Sequence, residues 1–111
     1  LDPADTPADA PPRSFPAKLL AVLKARWEAG GSGLTVIPCE LLEGNARLLR
    51  EKLVGLARGW GYPEPFVTWL VGECVWLHTL VDRIVTGTPA EHPILADDPM
   101  AIVAEPFAFW A

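Results

Sequence analysis

With 111 residues, half of them hydrophobic, and a formal net charge of −5, the chain has material for one small core but no concentration of cations that would hold nucleic acid. Its nine Lys and Arg residues are scattered among 14 Asp and Glu, and charges or prolines interrupt every apolar run before the ~20 residues of a membrane span. The opening LDPADTPADA lacks the basic start and apolar centre of a signal peptide, so the expected location is cytoplasmic.

In chain order, residues 1–14 carry four prolines and alternate Ala with Asp, and they are expected to form a Pro-rich loop or linker. SFPAKLLAVLKARWEAGGSG then reads as a helix capped by Ser14, with Pro16 in its first turn. Leu19, Leu20, Leu23 and Trp27 recur at helical spacing, Lys18, Lys24 and Arg26 face elsewhere, and AGGSG ends the helix. LTVIPC predicts a short buried strand that Pro38 terminates. ELLEGNARLLREKLVGLARGWG predicts a long amphipathic helix with Leu42, Ala46, Leu49, Leu53, Leu56 and Trp60 on one face. PEPFVTWLVGECVWLH predicts a second helix, apolar around much of its girth and therefore placed between layers. TLVDRIVTG reads as a strand, TPAEHPILADDP as a loop, and MAIVAEPF as a last short strand. The alternation of helices with β-branched runs predicts an α/β fold with parallel-type strands flanked by helices.

Cys39 and Cys74 stand 35 residues apart outside any CxxC or His-rich cluster and are expected to be reduced, buried thiols, a disulfide being the lesser alternative. Asp82 and Arg83 sit inside the apolar run LVDRIV. Neighbours on a strand point to opposite faces, so each needs its own partner if buried. Either both heads reach water at a strand end, or the carboxylate faces a crevice at the end of a parallel strand, where α/β proteins bind ligands. Glu40 follows the TVIPC run directly and has the same two readings, helix-start carboxylate or ligand-edge group. Asn45 is an alternative helix cap or turn residue. His78 is expected to cap or hydrogen-bond, Thr79 and Thr86 to be ordinary strand residues, and Glu105 to project toward the edge of Asp82. The five tryptophans, Trp27, Trp60, Trp69, Trp76 and Trp110, read mostly as core. The chain holds no GxGxxG, P-loop, GxSxG, HExxH or Cys/His ligand cluster, and GGSG precedes a strand where a phosphate cradle would follow one. The only Met is Met100, and EPFAFWA closes without a polar tail; both lead to the expectation of an internal piece of a longer chain.

TVIPCELLEGN (35–45), FVTWL (66–70), TLVDRIVTGTP (79–89) and AEPFAFW (104–110) occur in an order and at distances that resemble the mannitol dehydrogenase family of polyol-specific long-chain dehydrogenases, in its sugar-acid-reducing branch. The resemblance implies the C-terminal half of a Rossmann-like NAD-binding domain over residues 15–100, with 101–111 a strand leading toward an absent C-terminal helical domain. It implies hydride transfer between NAD and a small sugar acid, tagaturonate and altronate being the expected pair. It implies no metal, with the remainder of its own chain as partner; that no nucleic acid and no membrane is expected as partner follows from the charge and the short apolar runs. A general-base Lys would lie outside these residues, so the 111 alone are expected to be inactive. Carried over residue by residue, Asp82 lies in the substrate and cofactor cleft with Glu40 near it, and Arg83, of the same motif, serves structural pairing or domain contact at that cleft; Asn45 is counted with them as a cleft candidate. The mannitol branch reads Ser-Cys-Asp-Asn-Leu at the PCELLEGN segment and uses that Asn to hold the reacting oxygen; Leu41 stands there instead and cannot donate. This departure favours the tagaturonate branch over a mannitol- or fructuronate-type enzyme, and a non-catalytic α/β interaction module is the alternative of a different class. Ala46 replaces the Gly that commonly follows Asn45 in the family, which puts a left-handed turn there in doubt.

Overall fold

A computed structural model describes residues 1–80 and 82–106. Two compact units divide the chain, residues 1–80 and 81–111.

In the first unit the Pro-rich head makes a series of turns and leads into α1 (Phe15–Glu28). Ser14 occupies the N-cap position with extended backbone, but its side chain makes no cap bond. Its hydroxyl is committed to the Asp5 carboxylate instead. Gly30, with φ of 71°, reverses the chain after α1. Then come β1 (Thr35–Val36), α2 (Asn45–Gly59), α3 (Glu64–Gly72) and β2 (Val75–Trp76).

Two boundaries differ from the sequence pattern. The second helix starts at Asn45, five residues later than the apolar run suggested, because Gly44 takes a left-handed turn with φ of 68°. The left-handed residue is therefore Gly44, and Ala46 is an ordinary buried helical residue. The third helix stops at Gly72, and Val75 and Trp76 leave it to pair in parallel with Thr35 and Val36. Helical periodicity continued through Cys74 and Leu77, but Gly72 loosens the helix and β-branched Val75 suits a pleated partner.

The core lies among the three helices. Leu20 and Leu23 of α1, Leu53 and Ala57 of α2, and Phe66 and Leu70 of α3 are fully buried. Trp27, Trp60, Trp69 and Trp76 pack around them half-buried. The Lys24 ammonium does not face solvent as its spacing implied. It lies 5.1 Å from the Tyr62 ring centre and 5.3 Å from that of Trp27, held there by an ion pair with Glu28. Trp76 Nε1 donates to Leu70 O at 3.0 Å and so satisfies a carbonyl in the last turn of α3.

In the second unit β3 (Val85–Gly87) pairs antiparallel with β4 (Val103–Ala104), and a 3-10 turn (Pro93–Ala96) lies between them. The strand expected over TLVDRIVTG starts only at Val85 and so leaves out Asp82 and Arg83. Those residues precede β3 and are exposed, as are both strand runs apart from Gly87. The parallel-type reading therefore holds for β1 and β2 and gives way to an antiparallel ribbon here, which needs no crossover between its strands. Trp110 lies outside the described residues.

Candidate functional site

Pro38 has no N–H to donate and stops the ladder of β1 just past Val36. Residues 39–43 follow as a wholly exposed loop. Inside it the Leu42 N–H donates to Glu40 O at 2.8 Å. Cys39, expected to be buried, is exposed in this loop, whereas Cys74 is buried; both are free thiols. The difference comes from position: Cys74 rides against the helical core, Cys39 on a strand exit. Burial pushes the Cys74 thiol up, away from its reactive thiolate form.

Gly44 turns the chain into α2, and Asn45 is the first helical residue, only 3% exposed. Its Nδ2 lies 2.8 Å from Thr79 Oγ1, 3.1 Å from Thr79 O, 3.1 Å from Glu40 O and 3.3 Å from Pro38 O. Two amide protons are thus shared among four oxygens. Its Oδ1 accepts from the Ala46 N–H at 2.7 Å and from the Thr79 N–H at 3.3 Å. The Thr79 hydroxyl in turn donates to Pro38 O. These bonds join the chain just past β1 to the chain just past β2, at the carboxyl ends of the two parallel strands. That end of a parallel sheet is where α/β folds place their ligands.

A cavity of about 610 Å³ opens beside this edge, lined by Phe15 and Leu19 of α1, Pro38 and Glu40 at the exit of β1, and Asn45 and Lys52 of α2. Its size and mostly apolar lining match a small-molecule site. A second, polar concavity of about 500 Å³ is bordered by Glu43, Gly44, Arg47 and His78. Arg47 also pairs with Glu51 at 3.0 Å across one helical turn. Leu41 is 66% exposed in the loop between Glu40 and Leu42, which both line the first cavity, so its apolar side chain is presented to solvent at the strand exit.

The four residues picked from the sequence fall into two groups. Glu40 and Asn45 line the same cavity of the first unit, Glu40 exposed and Asn45 buried. Asp82 and Arg83 belong to the second unit and are exposed, so their heads reach water before a strand end. Asp82 Oδ1 accepts from the Arg83 N–H at 2.8 Å, and Arg83 Nη1 donates to Glu105 O at 2.9 Å. The Glu105 carboxylate accepts the Ile84 N–H at 3.0 Å, which places Glu105 beside the VDRI segment as expected. Sequence reasoning missed Thr79, which looked like an ordinary strand residue. Its only visible signal was a hydroxyl two residues beyond Leu77, the last apolar residue of the run CVWL.

The Rossmann-domain description of mannitol dehydrogenase matches residues 9–111 of this chain. The altronate oxidoreductase of Halalkalibacterium halodurans is 43% identical over 106 residues, covering 86% of this chain and 21% of that protein. The altronate oxidoreductase of Yersinia enterocolitica is 45% identical over 92 residues, covering 79% of this chain and 19% of that protein. That of Escherichia coli is 44% identical over 87 residues, covering 75% and 18%. The chain therefore spans about a fifth of the length of the curated relatives it matches.

Proposed function

Because the chain belongs to the mannitol dehydrogenase family through its Rossmann domain, we propose that it is part of an NAD-dependent oxidoreductase that interconverts tagaturonate and altronate by hydride transfer in hexuronate breakdown. The observation that carries this reading is the run of relatives named altronate oxidoreductase at 43–45% identity. Leu41 supports the sugar-acid branch, since an exposed Leu at the strand exit offers no hydrogen bond to a reacting oxygen.

The residues present fit the nicotinamide end of a dinucleotide rather than its pyrophosphate. The 610 Å³ cavity lies at the carboxyl edge of parallel strands and is mostly apolar. No glycine-rich turn leads from β1 or β2 into a helix start among the described residues in the phosphate-cradling pattern. Bound NADH supplies the hydride. The chain's own residues would exclude water with Phe15 and Leu19 and offer the Glu40 carboxylate at the mouth. Domain limits follow the same reading: residues 1–14 a Pro-rich lead, 15–100 the second half of the cofactor domain, 101–111 the passage toward the next domain. Asp82 and Arg83 are proposed as cleft residues on the VDRI resemblance, each to be tested on its own.

The test is NADH oxidation by the full-length protein on tagaturonate, fructuronate and fructose. A preference of about tenfold or more in kcat/KM for tagaturonate is expected. A preference for fructose overturns the substrate assignment, and activity on none of the three overturns the dehydrogenase reading for this family of substrates.

A further inference from the structure

We infer that Asn45 and Thr79 are positioning residues, a polar clamp that replaces the missing rungs of the β1–β2 ladder and holds both strand exits in one arrangement. The regular pairing ends where the Leu77 N–H donates to Val36 O at 3.0 Å. Two residues past Val36 the ladder meets Pro38, which has no N–H, so the backbone there lacks a donor with which to continue. The side-chain amide of Asn45 stands in for a peptide unit. It donates toward Pro38 O and Thr79 O and accepts the Thr79 N–H. Asn45 is buried, and none of its side-chain polar atoms is without a partner. A substrate could take those bonds only by unmaking buried ones. This assigns Asn45 a different part from the direct cleft contact its place in the PCELLEGN motif suggested: it acts on a ligand through Glu40 and residues 38–44, whose course it sets by bonding the Glu40 carbonyl at 3.1 Å.

The service to catalysis rests on the dehydrogenase reading above; the clamp itself rests on the hydrogen bonds. Thr79→Val removes the hydroxyl at nearly constant volume, Thr79→Ser keeps it, and Asn45→Asp removes the amide protons at constant shape. In the full-length protein, amide hydrogen exchange would be followed for peptides covering 38–45 and 77–80, with the α1 peptide 15–28 as internal reference. NADH oxidation on the sugar-acid panel would be measured beside it. For Thr79→Val and Asn45→Asp, exchange in the two clamp peptides is expected to rise about tenfold or more while 15–28 is unchanged. The kcat is expected to fall about tenfold with KM within about threefold, and Thr79→Ser restores both. Unchanged exchange at the clamp peptides overturns the proposal. So does a rise in KM at constant kcat, the mark of a direct substrate contact, and so does exchange rising equally in all peptides, the mark of general destabilisation. Where the unaltered protein oxidises NADH on no sugar acid, the dehydrogenase reading fails, and the exchange pattern alone confirms or overturns the clamp.

Discussion

Asp5 ties the Pro-rich head to the first helix. It is 8% exposed and accepts from the Arg13 N–H at 2.5 Å, from the Ser14 N–H at 3.1 Å and from the Ser14 hydroxyl. The Ser14 hydroxyl foremost, with the two backbone N–H groups, holds its carboxyl below the ordinary aspartate value. A carboxyl lowered in the folded state contributes stability that is fully present above its unfolded value, about pH 4, and is lost as pH falls through the folded one. Thermal melts of the unaltered protein and Asp5→Asn should therefore differ near neutral pH, and the difference should shrink as the pH drops below about 4. Gly33 makes a second residue-scale case. A Cβ there would stand 1.9 Å from Glu73 O, so the two backbones approach only because no side chain intervenes. Gly33→Ala should cost about 1–3 kcal/mol, read as a lower denaturant midpoint at unchanged slope, because backbone has to move.

Among the elements, α3 meets both other helices through one short apolar face. Phe66 is fully buried and touches three aromatic neighbours, with ring centres 5.6 Å away at Trp27, 5.8 Å at Tyr62 and 6.0 Å at Trp69. Phe66→Ala should destabilise by about 3–5 kcal/mol, the sum of lost transfer energy and an unfilled cavity, measurable by the same denaturant titration. The helices themselves were legible in the sequence, since Leu20, Leu23, Leu53, Phe66 and Leu70 recur at helical spacing and all are buried. Their ends were less so. The start of α2 depended on which residue took the left-handed turn, and the end of α3 on whether Val75 found a strand to pair with. Neither is a property of the local run alone.

The two units of the whole chain differ in what they bury. Among the described residues every buried core residue lies in 1–80, the last being Cys74. Ile84, Met100, Ile102 and Val103 of the second unit are exposed. No helix among the described residues is long and apolar enough to cross a membrane. The 111 residues contain no GxGxxG turn to hold a dinucleotide pyrophosphate. Expressed alone they should give no NADH-dependent reduction of tagaturonate; measurable turnover by this segment would show that the chemistry needs less of the parent than proposed.

By itself the sequence determined the family, because the four motifs PCEL, FVTWL, VDRI and EPF are properties of residue identity and order. It determined the helical core too, because apolar spacing at 3.6 residues is local physics. It placed Glu40 correctly on a strand exit, since Pro38 announces where pairing must stop. Only the tertiary structure decided that Asn45 and Thr79, 34 residues apart, share one set of hydrogen bonds. It alone decided between the two readings of Asp82 and Arg83, whose heads stand in water. Those outcomes depend on which distant backbone groups lack partners, and an unpaired carbonyl has no signature in a one-dimensional string.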